Sequence, residues 1–78
     1  MRPKNKPGIP VWRGDALRMR RLADRWSSEA LAARVGVSRS TLQRWERDEN
    51  APTSSHLNEL AEALGVPQHT FAREPRVV

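Results

Sequence analysis

The chain has 78 residues, a formal net charge of +5 and no cysteine. This length predicts one small domain with no room for a second catalytic lobe. The lack of cysteine excludes disulfides and thiolate metal sites, and the only two histidines, His56 and His69, lack the spacing of a zinc site. No apolar run approaches the roughly 18 residues that span a bilayer. We therefore predict a soluble, cytoplasmic protein with an apolar core, no metal and no other cofactor.

The positive charge is concentrated in the first part of the chain. Residues 1–47 contain 12 of the 14 basic and 4 of the 9 acidic residues and carry +8, whereas residues 48–78 carry −3. One basic surface indicates a polyanionic partner. Arginine, which supplies 12 of the basic residues, suits bidentate contacts with phosphate or guanine. The alternative is a genome that simply prefers arginine to lysine.

The first 14 residues form a basic segment that contains several prolines and glycines. Its cations are Arg2, Lys4, Lys6 and Arg13. We predict that residues 1–14 are a flexible arm, residues 15–72 one domain and residues 73–78 a tail. Such an arm can follow the minor groove or the phosphate backbone of DNA. The alternative is that it only increases solubility.

The first two predicted helices follow the arm. The first runs from Asp15 to about Trp26, and periodicity of 3.6 residues predicts an apolar face made of Ala16, Met19, Leu22, Ala23 and Trp26. The second is short, is capped by Ser27 and ends at Gly36, which suits a left-handed C-terminal position. Its inward stripe is Leu31, Ala32 and Val35.

Three more helices are predicted. Ser38 caps the third, which runs to about Arg47 and directs Leu42 and Trp45 inward. Its outward residues, all hydrogen-bond donors, are Arg39, Ser40, Gln43, Arg44 and Arg47. Thr53 caps a fourth helix with an apolar stripe of Leu57, Leu60, Ala61 and Leu64. A short fifth helix is expected from about Pro67 with Phe71. The predicted fold class is therefore all-α, with five helices.

The second and third helices have the layout of a helix-turn-helix. They are joined by roughly four residues around Gly36, which permits the bend, and Val37 can fill the space beneath it. In this motif the second helix exposes its N-terminal residues to base edges in the major groove. The donor-rich face of the third helix suits that role, which makes it a candidate recognition helix from Ser38 to Arg47.

Several motifs in order resemble the Cro and lambdoid repressor family, also called XRE-type. Residues 26–38, WSSEALAARVGVS, are similar to the family pattern LSQEELAEKLGVS, and residues 39–47, RSTLQRWER, to RSTISRWERG. Pro52-Thr53 and the leucine-rich stretch that ends in Gly65-Val66 resemble its C-terminal pattern. The resemblance covers about residues 15–71. It implies a compact, five-helix, lambda-repressor-like DNA-binding domain.

The resemblance also implies roles for individual residues. Arg39, Ser40, Gln43 and Arg44 match positions that face bases, and Thr41 and Arg47 match positions nearer the backbone. Ser28 matches a phosphate-contacting position, and Ser38 at the start of the recognition helix is included among the predicted DNA contacts. Arg21 and Glu46 match a family ion pair, which either is purely structural or also holds Arg21 toward a phosphate.

Two departures from the family pattern concern phosphate contacts. Ser28 is shorter than the glutamine that relatives often carry, so its reach to a phosphate is limited to a water bridge or its own amide. Asp48 replaces the usual glycine after the third helix, and Glu49 makes the loop acidic. Both changes shift the expected backbone contacts toward the arm and the first helix.

The sequence predicts a sequence-specific double-stranded-DNA-binding regulator, a Cro-like repressor of a phage or other mobile element, rather than an enzyme. A homodimer on DNA is expected through the fourth and fifth helices and the tail, with Phe71, Val77 and Val78. One alternative is an antitoxin that represses its own operon and binds a protein partner through helices 4 and 5. Another is a protein-interaction module that does not bind DNA.

Overall fold

A computed structural model describes residues 11–73 of the chain, with side-chain surroundings from Trp12 to Phe71. Four α-helices dominate it: α1 (Gly14–Ala23), α2 (Ser28–Val35), α3 (Arg39–Glu46) and α4 (Ser54–Leu64). They are framed by two short antiparallel strands, β1 (Val11–Trp12) and β2 (Ala72–Arg73), which pair Val11 with Arg73 and Trp12 with Ala72. The predicted all-α class is confirmed, and this two-residue ladder is an addition to it.

The predicted fifth helix is only a 3-10 turn, Gln68–Thr70. Its amides bond three residues back, Thr70 N to the Pro67 carbonyl and Phe71 N to the Gln68 carbonyl, both at 3.0 Å. The turn stops there because Phe71 is fully buried and Ala72 already pairs with Trp12. Four helices and one 3-10 turn therefore replace the five predicted helices in the described part of the chain.

The ends of α2, α3 and α4 are where the sequence placed them, whereas α1 ends at Ala23, three residues before its predicted end. The side-chain hydroxyls of Ser27, Ser38 and Thr53 each accept a hydrogen bond from the backbone amide three residues later, at 3.0, 3.1 and 3.3 Å. Such caps satisfy amides that a helix leaves unpaired at its N-terminus. Gly36 and Gly65 end α2 and α4 with φ of +78° and +69°. These local signals determine where α2, α3 and α4 begin and where α2 and α4 end.

The core lies where α1, α2, α3 and α4 meet. Its fully buried side chains are Leu17, Leu31, Leu42, Leu60 and Phe71, and Ala32, Val35, Trp45 and Leu64 complete the same cluster. Most of the inward residues predicted for α2, α3 and α4 belong to this cluster; Leu57 is half-buried against it, and Ala61 is buried without being part of it. No described helix is long and apolar enough to cross a membrane.

The predicted buried face of α1 is wrong in part: Ala16 and Trp26 are half-buried against the core, but Met19, Leu22 and Ala23 are exposed. Gly14, Leu17 and Arg21 face the interior, whereas Met19 is 69% exposed and Leu22 is 53% exposed. Arg21 occupies a core-facing position because Glu46 neutralises it there. An apolar periodicity cannot anticipate a buried arginine, so it placed Met19, Leu22 and Ala23 inward in place of Leu17 and Arg21.

The predicted arm extends four residues too far, because residues 11–14 belong to the folded body. The Trp12 indole N–H donates to the Trp45 carbonyl at 2.8 Å, and the Arg13 amide donates to the Phe71 carbonyl at 2.7 Å. The Trp12 and Phe71 rings also lie 6.3 Å apart. Residues 1–10 of the predicted arm and residues 74–78 of the predicted tail lie outside the described residues.

Asp48, the departure from the family pattern, links α3 to α1. It has a φ of +63°, and its Oδ1 accepts a hydrogen bond from the Gly14 amide at 2.9 Å. Arg13, the residue before α1, provides no side-chain cap, so Asp48 caps this helix from a distant part of the chain. A carboxylate at this end also interacts favourably with the helix dipole.

We expect Asp48→Ala to lower the free energy of unfolding by about 1–2 kcal/mol, because it removes a helix cap and keeps the left-handed backbone. Asp48→Gly loses the same cap but relieves the backbone strain, so it is expected to cost less. Urea denaturation of the two variants measures the difference. Equal stability of Asp48→Ala and the wild type would contradict this capping role.

Candidate nucleic-acid interface

The turn between α2 and α3 is held by backbone hydrogen bonds and by one apolar side chain. Gly36 is left-handed, the Val37 amide donates to the Ala32 carbonyl at 2.9 Å, and Val37 packs against the core. Ser38 then starts α3 as its cap. Three residues therefore connect the two helices, and the Leu42 side of α3 is fixed against α2.

The outer face of α3 carries the predicted base-contacting residues. Arg39, Ser40 and Arg44 are exposed, and Gln43 is half-buried beside them. At 100° per residue, these four positions span one continuous sector opposite Leu42 and Trp45. Among the described residues, the side chains of Arg39, Gln43 and Arg44 make no hydrogen bond, so their donors point to solvent.

The structure assigns Ser38 and Thr41 to the start of α3 rather than to its outer face. The Ser38 hydroxyl accepts from the Thr41 amide at 3.1 Å and donates to Thr41 Oγ1 at 2.9 Å. It also lies 3.3 Å from Ser40 Oγ. Because the cap uses this hydroxyl, its predicted DNA contact competes with an interaction that the helix needs.

A groove of about 240 Å³ lies beside the recognition face. It is lined by Arg18, Arg21, Ser28, Gln43, Glu46 and Arg47, which come from α1, α2 and the end of α3. Ser28 is the first residue of α2, where free amides and the helix dipole favour an anion. Arg18 was not among the predicted site residues. Arg18 precedes Arg21 by three residues, which places both on the side of α1 that faces α3. This spacing is the sequence signal that could have identified Arg18.

Arg21 and Glu46 form the floor of this groove. Arg21 Nε donates to Glu46 Oε2 at 2.6 Å and Nη2 donates to Oε1 at 3.2 Å, which gives a bidentate pair. Nη1 donates to the Trp26 carbonyl at 2.9 Å. The two side chains are only 10% and 6% exposed. Three of the guanidinium's donors are therefore used inside the protein, and the pair joins α1 to α3.

Two other predicted cations are paired at the surface. Arg47 Nε lies 3.2 Å from Glu49 Oε2 in an exposed pair, so the acidic loop offsets part of its charge. Arg13 Nη2 donates to Asp15 Oδ2 at 3.1 Å, and this hydrogen bond lowers the pKa of the Asp15 carboxyl. Arg13 does not line the groove beside α3. Arg2, Lys4 and Lys6 lie outside the described residues.

The geometry and the sequence define one class of protein. The helix-turn-helix family profile matches residues 17–67, and the chain belongs to that family. Its fold is that of the DNA-binding domain of Cro- and c2-type repressors. Between residues 11 and 73, no group of three histidine, aspartate or glutamate side chains is arranged to hold a metal ion.

The chain is similar in sequence to a known regulator. The chain is 43% identical to an uncharacterized transcriptional regulator in the ATPase CF(0) region of Rhodospirillum rubrum. The alignment extends over 58 residues, which are 74% of this chain and 54% of that protein. The chain thus spans about half the length of this curated relative.

Two solved structures resemble this fold. The P22 c2 repressor in complex with a synthetic operator matches with a TM-score of 0.71 and 32% identity, over 74% of this chain and 89% of that one. The restriction-modification controller protein C.AhdI from Aeromonas hydrophila matches with a TM-score of 0.69 and 32% identity, over 73% and 86% of the two chains.

Proposed function

We propose that this domain binds double-stranded DNA in a sequence-specific manner and regulates transcription by occupying an operator. The observation that carries the proposal is the exposed donor face of α3, Arg39, Gln43 and Arg44, beside a groove rimmed by Arg18 and Arg47. The P22 c2 repressor, whose fold is similar, was solved with a synthetic operator. Family membership supports the same conclusion.

Base recognition is assigned to the outer face of α3, from Arg39 to Arg44. In the major groove, arginine donates two hydrogen bonds to O6 and N7 of guanine, and glutamine pairs with N6 and N7 of adenine. With α3 in that groove, Arg39 and Arg44 favour a half-site that contains guanine, and Gln43 favours adenine. Ser40 lies within this face and supplies a hydroxyl, and Thr41 lies beside Arg44 at one edge of it.

Phosphate contacts are assigned to the adjacent groove. Arg18 is exposed there, Ser28 offers a hydroxyl and the first amides of α2, and Arg47 is a second exposed cation. Arg21 holds the groove in shape through Glu46 rather than acting as the main phosphate ligand. The basic segment with Arg2, Lys4 and Lys6 is proposed as an additional contact with the DNA backbone or the minor groove.

The oligomeric state and the place of action follow from the proposed partner, an operator DNA. We propose that the domain acts as a dimer on two half-sites, because two-fold operators require two recognition helices about one helical turn apart. It acts by binding rather than by catalysis, since the similar P22 c2 repressor was solved in complex with an operator. Its place of action is the cytoplasm, where bacterial and phage operators are.

We expect Arg39→Ala and Arg44→Ala each to reduce discrimination between the preferred site and a site changed at one base by about 1–3 kcal/mol, which is roughly 5- to 150-fold. The reason is the loss of a bidentate base contact. Competition binding with the preferred and the altered duplex measures the ratio.

Arg34→Ala is the matched control for these variants. Arg34 is exposed on α2, does not line the groove, and loses the same charge when replaced. Its variant is expected to keep the wild-type preference and to bind slightly more weakly to every sequence. If neither α3 variant changed the preference, direct base recognition by α3 would be wrong.

A further inference from the structure

The outer side of α1 is an apolar surface that nothing in the described chain covers. Met19, Leu22 and Ala23 are exposed on the side opposite the buried row of Leu17 and Arg21, and Ala16, which is half-buried against the core, extends the stripe. Met19 and Leu22 are the large hydrophobic side chains that remain exposed between residues 12 and 71. Ala16, Met19 and Ala23 line an open groove of about 410 Å³ together with Arg13, Arg20 and Thr70.

This stripe is separate from the surface assigned to DNA. The groove beside α3 contains Arg18 and Arg21 from α1, and the apolar groove contains none of its lining residues. Leu22 lies only about 40° from Arg18 around the helix axis, whereas Met19 and Ala23 lie about 100° and 140° from it, so the Met19 and Ala23 side of the stripe points away from Arg18. A partner on the stripe therefore leaves the recognition face free.

The charges along the stripe complement a second copy of the same stripe. Arg20 and Asp24 form a pair at 3.3 Å along one edge, with the arginine first and the aspartate four residues later. A two-fold axis perpendicular to α1 makes the second copy of the helix antiparallel to the first. Arg20 then faces the partner's Asp24, and Asp24 faces the partner's Arg20. The edge is charge-balanced, although residues 1–47 together carry +8, so two copies can approach here without strong repulsion.

We propose that the outer face of α1 is a homodimer contact, in which a second copy packs its α1 antiparallel against the first. Met19 packs on the partner's small Ala23, and the spacing of Ala16, Met19 and Ala23 is that of an interhelical seam. Phe71, which the sequence predicted for a dimer contact, is fully buried and does not take part.

The size of the surface sets the strength of this dimer. A helix of ten residues is about 15 Å long and buries less than the roughly 1,600 Å² of a standard stable interface. The dimer is therefore weak, with dissociation at micromolar or higher concentration. Two adjacent half-sites on DNA raise the local concentration of the copies and favour the contact.

The first test is sedimentation velocity of the DNA-free full chain over a concentration series. The wild type is expected to shift from monomer toward dimer as concentration rises toward about 1 mM, and Met19→Glu to weaken that association at least tenfold because it places a charge in the seam. Ala33→Glu adds the same charge to an exposed alanine of α2 and is expected to behave as the wild type. Circular dichroism confirms that each variant is folded.

The second test uses charge reversal. Arg20→Asp alone and Asp24→Arg alone each place like charges opposite each other and are expected to be monomeric, whereas an equimolar mixture of the two forms a heterodimer. An intramolecular role for the pair does not produce that recovery. A wild type that stays monomeric throughout the series would overturn the proposal, as would an unchanged dimer of Met19→Glu. Because DNA is absent, neither result depends on the proposed operator binding.

Discussion

Gly14→Ala is expected to destabilise the domain by about 3 kcal/mol or more. Gly14 is buried at the start of α1, and a Cβ there meets the carbonyl oxygens of Trp45 and Glu46, with the second only 2.6 Å away, and Asp48 Oδ1 at 2.8 Å. Overpacking of this kind usually costs 1–3 kcal/mol, and here two of the three neighbours are backbone atoms at the end of α3. Chemical denaturation followed by circular dichroism measures the loss.

The direction of this effect separates packing from helix propensity. Alanine is favoured over glycine inside a helix by about 1 kcal/mol, so propensity alone predicts a gain in stability. Gly65→Ala is the control, because Gly65 has a φ of +69° and nothing within 4 Å of its Cβ position. Its expected cost is only the left-handed strain, about 1–2 kcal/mol. A Gly14→Ala variant no less stable than Gly65→Ala would show that the close approach of α1 and α3 is not needed.

Glu46→Ala is expected to cost about 3–5 kcal/mol, because it leaves the buried Arg21 guanidinium without its carboxylate. A domain of this size has a total stability of roughly 4–12 kcal/mol, so the variant is expected to be largely unfolded well below the melting temperature of the wild type. Thermal and urea unfolding measure the change. The groove beside α3 is also expected to lose its shape, which weakens DNA binding.

The exposed pair between Arg47 and Glu49 is the matched control. Glu49→Ala removes the carboxylate that pairs with Arg47 at a similar distance, but this pair is exposed to solvent. The variant is therefore expected to lower the free energy of unfolding by less than about 1 kcal/mol. Replacing both buried partners, Arg21→Met with Glu46→Leu, is expected to recover most of the stability. Equal effects of Glu46→Ala and Glu49→Ala would contradict the structural importance of the buried pair.

The sequence predicted the parts of the fold that depend on neighbouring residues. Ser27, Ser38 and Thr53 cap helices, and Gly36 and Gly65 end them, because the side chain or φ that each end requires is present locally. The inward residues of α2 and α3 followed in the same way from their short apolar periods. Those two helices form the helix-turn-helix, so the sequence alone located this motif.

The parts that the sequence did not predict depend on distant residues. The orientation of α1 is set by Glu46, 25 residues away from Arg21, and the start of α1 is capped by Asp48, 34 residues from Gly14. The short ladder of Val11–Trp12 with Ala72–Arg73 joins the two ends of the described chain. Neither periodicity nor turn propensity reports such contacts, so the arm and the apolar face of α1 were misplaced.

The candidate site also has one part that depends on neighbouring residues and one that depends on distant residues. Arg39, Ser40, Gln43 and Arg44 share the outer side of α3 because an amphipathic helix places them there. The groove with Arg18, Ser28 and Arg47 needs three helices to be packed together, and Arg18 was missed for that reason. The Ser38 hydroxyl, by contrast, is used within α3.

Selection of bound sequences from random duplex DNA tests the central claim most directly. The wild-type chain is expected to enrich a defined site whose half-site contains guanine, and Arg39→Ala or Arg44→Ala is expected to relax the preference at particular positions of that site. Two half-sites about ten base pairs apart would identify a DNA-bound dimer. Failure of the folded wild-type chain to enrich any sequence above the starting pool would contradict sequence-specific DNA binding.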